Sequence, residues 1–62
     1  MNDLCRRYTY IAEERLGVKV TAIYDEETGA YTTLIHDTGV SFVYDEREMT
    51  KLVEKMEKEF GE

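Results

Sequence analysis

The chain is 62 residues long, with 14 Asp and Glu against 8 Lys and Arg, a net charge of −6, no proline, and 42% hydrophobic and 35% charged residues. That composition belongs to a folded domain rather than a disordered tail. A single domain over residues 1–62 buries only about 60% of its unfolded surface, which leaves little room for a deep substrate pocket. The negative charge argues against direct binding of nucleic acid, whose affinity comes from Lys and Arg neutralising phosphates, and favours a basic protein surface as partner. One cysteine, Cys5, leaves no internal disulfide and fits a reducing, cytoplasmic compartment. No apolar run reaches the ~20 residues of a membrane span, and no signal-peptide pattern opens the chain.

In chain order, residues 2–16 read as a helix, because Leu4, Tyr8, Ile11, Ala12 and Leu16 recur at helical spacing. Asn2 or Asp3 caps its start and Gly17 stops it. Three segments rich in β-branched and aromatic residues follow, Val18–Asp25, Ala30–His36 and Val40–Tyr44, each of strand length. Glu27-Thr28-Gly29 and Asp37-Thr38-Gly39 between them read as three-residue hairpin loops with glycine in the left-handed position, which makes the strands an antiparallel meander. Loops of that length set Ala22 opposite Leu34 and Leu34 opposite Phe42. Val18, Val20, Ala22, Tyr24, Leu34, Val40, Phe42 and Tyr44 are then expected to share the core face. After Tyr44 the period changes to about 3.6, with Met49, Leu52, Val53, Met56 and Phe60 in one stripe behind an Asp45/Glu48 capping box. The expected architecture is α+β: a two-layer α-β-β-β-α domain with a three-stranded antiparallel meander and both helices on one face.

The charge is concentrated. Residues 25–48 hold Asp25, Glu26, Glu27, Asp37, Asp45, Glu46 and Glu48 against Arg47 alone, which accounts for the whole net −6. In a meander the first and third strands run the same way, so the 25–29 loop and the 45–48 junction are expected at one end of the sheet. Asp25, Glu26, Glu27, Asp45, Glu46 and Glu48 are the candidate partner-binding residues. The alternative is that they only cap and complement a helix on a solvated edge. The sheet face away from the helices offers a second candidate interface at Ile23, Tyr31, Ile35 and Val43, suited to a partner or to a second copy of the chain.

No catalytic, cofactor or metal constellation emerges. His36 is the only histidine and sits beside Asp37 at a turn, where a structural edge role outweighs that of a general base. Cys5 lies near Arg6 and Arg7 but lacks a positioned base, and reads as a small apolar core residue. Asp25-Glu26-Glu27-Thr28-Gly29 is too short for a calcium loop, and the carboxylates lie on a convex end rather than across a cleft. The expected activity is binding, not catalysis.

Several features recur together: an Asn2-Asp3-Leu4 helix start, a Val18-Lys19-Val20 strand start, an acidic hairpin, and a final helix with Leu52-Val53-Glu54-Lys55 ending near Phe60. In this order the chain resembles small acidic phage-encoded anti-CRISPR proteins that inhibit type II RNA-guided nucleases. That family's pattern continues into a further acidic helix without counterpart in these residues. The resemblance implies an α-β-β-β-α core that imitates the DNA edge read by the nuclease, with acidic contacts at Asp25, Glu26, Glu27, Asp45 and Glu46. It implies a nucleic-acid-binding nuclease as the partner. The competing expectation, from the residues themselves, is a structural or regulatory, antitoxin-like homodimer pairing through the open sheet face.

Overall fold

A computed structural model of the chain describes residues 2–61. The elements are α1 (Asp3–Leu16), β1 (Val20–Asp25), β2 (Ala30–Ile35), β3 (Val40–Tyr44) and α2 (Glu46–Phe60). The sheet is an antiparallel meander in the order β1-β2-β3, and the α-β-β-β-α architecture is the one the sequence implies. No helix among the described residues is long and apolar enough to cross a membrane.

Local chemistry explains the ends of the elements. Asn2 caps α1, its Oδ1 accepting from the amides of Leu4 (2.8 Å) and Cys5 (3.2 Å). The Asp45/Glu48 capping box forms in full. Asp45 Oδ1 accepts from the Glu48 amide at 2.8 Å, and Glu48 Oε1 accepts from the Asp45 amide at 2.9 Å. Glu13 on α1 reaches over to accept from the Val20 amide at 3.0 Å, tying the helix to the start of β1.

The strand register differs from the sequence expectation by one residue at each hairpin. The loops are four residues long, Glu26-Glu27-Thr28-Gly29 and His36-Asp37-Thr38-Gly39, closed by the pairs Asp25↔Ala30 and Ile35↔Val40. In each the glycine adopts φ 74 and its amide donates at 2.8 Å to the carbonyl four residues back, Asp25 or Ile35. Only the left-handed region allows that closure, which is why glycine ends both loops.

A one-residue change of register turns every side chain of a strand to its other face. Both loops grow by one residue, so β1 and β3 keep their relation while β2 turns over. The cross-strand rows on the helix side are Val20–Ile35–Val40, Ala22–Thr33–Phe42 and Tyr24–Tyr31–Tyr44. Leu34, expected in the core, belongs to the open face, in line with Thr21 and Ser41. Tyr31 and Ile35, expected on the open face, belong to the helix side.

The core sits between β1, β2 and the two helices. It comprises Cys5, Tyr8 and Ala12 of α1, Val20 and Tyr31 of the sheet, and Met49 and Val53 of α2. Met49 and Val53 are fully buried, as the α2 stripe implies, whereas Leu16 and Phe60 at the far ends of the helices remain exposed. Tyr31, expected on the open face, is 1% exposed, and so is Thr33 on the same side of β2.

This register makes a direct prediction. Thr33→Lys puts a charge into the buried layer and is expected to cost more than about 3 kcal/mol. Thr32→Lys, on the exposed face of the same strand, is expected to stay within about 0.5 kcal/mol. Urea unfolding of the two variants gives the comparison; the three-residue-loop register requires the opposite order.

Candidate functional site: an acidic rim

Tyr31 is the first side chain of β2 inside the core, and it sits between Tyr24 on β1 and Tyr44 on β3. Its ring lies against Tyr24, with centroids 4.7 Å apart. Its hydroxyl donates to Glu46 Oε2 at 2.6 Å and accepts from Asn2 Nδ2 at 3.2 Å. One side chain thus connects the cap of α1, the start of β2 and the first residue of α2. Burial, reinforced by the Glu46 carboxylate, pushes the Tyr31 phenol up to about 12.

That connection places the acidic segments. The first hairpin leaves the sheet from Asp25 and returns at Ala30, next to Tyr31; β3 ends at Tyr44, also paired with Tyr31, and passes into Asp45. Residues 25–27 and 45–48 therefore emerge at the same end of three adjacent strands, spaced by about 5 Å per strand. Asp25, Glu26, Glu27, Asp45, Glu46 and Glu48 are all exposed there.

Each side chain has a different degree of freedom. Asp25 accepts from the Glu27 amide at 2.9 Å and shapes its own loop. Asp45 and Glu48 are engaged in the capping box, and Glu46 holds Tyr31. Asp45, Glu46 and Glu48 also lie at the amino end of α2, where the helix dipole favours negative charge. The helix-capping role expected for part of this cluster is thus real. Each of these four carboxylates uses one oxygen in the bond described. Glu26 and Glu27 have no side-chain hydrogen bond among the described residues.

No rim carboxylate is neutralised by an ion pair among the described residues. Three of the four arginines are engaged elsewhere: Arg6 with Asp3 (2.7 Å), Arg7 with Asp3 (3.0 Å) and Glu57 (2.7 Å), and Arg15 with Glu59 (3.7 Å); Arg47, within the rim segment, is in no ion pair among the described residues. The Arg7 guanidinium holds the carboxyls of Asp3 and Glu57 below their ordinary range. Outside the rim segment the helix layer balances its own charge, and the sheet end does not.

The second candidate interface divides. Ile23 and Val43 are 61% and 67% exposed and stand in one cross-strand row on the open face with Thr32 between them. Tyr31 and Ile35 are turned to the helices by the register of β2 and do not belong to that surface. The open face carries Leu34 instead, half-buried beside Thr21 and Ser41. Its apolar content is therefore smaller than the sequence suggests.

His36 Nε2 lies 2.6 Å from Thr21 Oγ1, a cross-strand contact at the opposite end of the sheet from the rim. Cys5 is buried in the core, and burial pushes its thiol up, away from nucleophilic character. No group of three or more His, Cys, Asp or Glu among the described residues is arranged to hold a metal ion. No protein-family model matches the chain, and neither a curated protein nor a solved structure is significantly similar to it.

The Tyr31 hydroxyl gives a pH signature. A folded pKa raised above the unfolded value contributes stability that is complete below the unfolded value and lost as pH rises through the folded one. Wild-type stability is therefore expected to fall between pH 10 and about 12 more steeply than that of Tyr31→Phe. At neutral pH the same substitution, which strands Asn2 and Glu46, is expected to cost about 1–2 kcal/mol. Chemical denaturation at stepped pH separates the two effects.

Proposed function

We propose that the chain is a protein-binding inhibitor whose acidic rim occupies a Lys- and Arg-rich nucleic-acid-binding site on another protein. One observation carries this reading: six exposed carboxylates from two distant segments converge on one end of the sheet without an ion-pair partner among the described residues, while Arg6, Arg7 and Arg15 are paired on the helices and Arg47 alone stands among them. A rim of that kind offers a basic groove the same attraction as a run of phosphates, steering association and excluding the nucleic acid by competition.

The resemblance in topology and charge to anti-CRISPR proteins directs the proposal to type II RNA-guided nucleases. Such nucleases read a short motif with arginines in a basic channel before unwinding the target. Carboxylates can offer bidentate acceptors to those guanidinium groups in place of base edges. Glu26 and Glu27 are the residues best suited to that contact, since neither is engaged within the fold.

The structure also decides which variants report cleanly. Asp45→Lys removes a helix cap and Glu46→Lys strands Tyr31, so both confound binding with folding. Glu26→Lys with Glu27→Lys disturbs neither. In a target-duplex binding assay with a guide-loaded type II nuclease, the chain is expected to inhibit, with potency falling as salt rises. The double reversal is expected to weaken inhibition at least about tenfold with an unchanged melting transition. Absence of inhibition, or inhibition indifferent to salt and to the double reversal, contradicts the proposal.

A further inference from the structure

The helix layer does not cover the whole sheet. Phe42 points to the helix side of β3 yet is 53% exposed, and Val40 on the same face is also exposed. Beside them runs a groove of about 250 Å³ whose walls include Leu16, Ile35, Phe42, Leu52 and Met56, with Arg15 as its one charged lining residue. Val43 is exposed on the opposite face of the same strand. β3 is an edge strand, paired only with β2, so its outer backbone edge is open as well.

Edge strands are normally guarded against pairing by charge, proline or a bulge. β3, Val40-Ser41-Phe42-Val43-Tyr44, has no charged residue, and the chain has no proline. It pairs with β2 in unbroken register over all five residues. The other edge, β1, is flanked by Lys19 and ends on Asp25. An unguarded strand with apolar side chains on both faces has the character of an interface.

We infer that β3 pairs antiparallel with β3 of a second copy of this chain, joining the two sheets into one of six strands. Pairing centred on Phe42 sets Phe42 against its own counterpart, Val40 opposite Tyr44 of the second copy, and Ser41 opposite Val43 of the second copy. Residues opposite one another then share a face, so the apolar helix-side residues of the two copies meet and extend the groove across the two-fold axis.

Charge selects this occupant and this direction. Each copy carries −6, and the six carboxylates and Arg47 at the end of the sheet where β3 finishes account for −5 of it. Antiparallel pairing sends the two rims to opposite ends, separated by at least the length of the five-residue strand, roughly 17 Å. That exceeds the ~8 Å screening length at physiological salt. The same arrangement brings Arg47 of one copy to the end that carries Asp37 of the other; both are exposed, and neither is in an ion pair among the described residues. A dimer of this form presents one acidic rim at each pole.

Sedimentation equilibrium of the intact chain in the micromolar range tests the inference, with an expected mass of about twice 7.3 kDa. Phe42→Lys and, separately, Val40→Lys are each expected to raise the dissociation constant at least tenfold, with circular dichroism reporting retention of the fold. Ile23→Lys, on the open face of β1, is expected to leave the dimer intact. A monomer mass for the unsubstituted chain overturns the inference. So does a dimer that survives both β3 substitutions or is lost on Ile23→Lys, which assigns the contact to the open sheet face.

Discussion

The placement of Tyr31 is the constraint on which the rest of the molecule depends. As the first inward side chain of β2, it fixes the register of the central strand against both neighbours. Through its hydroxyl it also joins the cap of α1 to the first residue of α2. A buried phenol needs partners, because an unsatisfied hydroxyl in the interior is costly. Asn2 and Glu46 are the partners available, and both helices consequently begin at the same end of the sheet. Two stretches of acidic sequence, separated by the whole of β2 and β3, become neighbours for the same reason.

The elements and their order are legible in the sequence because they rest on local chemistry. The helical spacing of Tyr8, Ile11 and Ala12, the Asn2 and Asp45 caps, the switch of period after Tyr44 and the paired Thr-Gly loop ends each act within a few residues. The facing of β2 is not legible in the same way. Ala30, Thr32 and Leu34 alternate with Tyr31, Thr33 and Ile35, and each set is a mixture of apolar and hydroxyl-bearing residues, so periodicity does not separate inside from outside. Loop length then decides, and a three-residue closure differs from a four-residue one only in which pair of residues begins the ladder. The decisive interactions are long-range: the Tyr31 hydroxyl against Asn2 and Glu46, and its ring against Tyr24. Because the error is the same at both hairpins, the relation of β1 to β3 survives it. The expected convergence of residues 25–27 and 45–48 survives with it, while the proposed contact at Tyr31 and Ile35 does not.

The molecule is electrically polarised along its strands. Outside residues 46–48 its helices carry equal numbers of both signs, partly paired across the α1–α2 contact by Arg7 with Glu57. The sheet end carries the net charge. Concentrated like charge opposes compaction, and here that opposition is confined to a solvated edge where helix dipole, capping and the Asx turn at Asp25 offset it. The uncharged β3 edge is the complementary feature. An acidic pole and an unguarded strand on one small domain divide recognition between an electrostatic end and an apolar side.

The account stands on residues 25–27 and 45–48 forming a single rim. A nitroxide label at Glu27→Cys, in a Cys5→Ala background, measures this directly through paramagnetic broadening of backbone amides under conditions where the chain is monomeric. The account predicts strong broadening at Asp45, Glu46, Arg47 and Glu48 and weaker broadening at Asp37, Thr38 and Gly39, at the far end of the strands. The reverse pattern, with the 37–39 loop broadened and the start of α2 unaffected, would place the two acidic segments apart and contradict it.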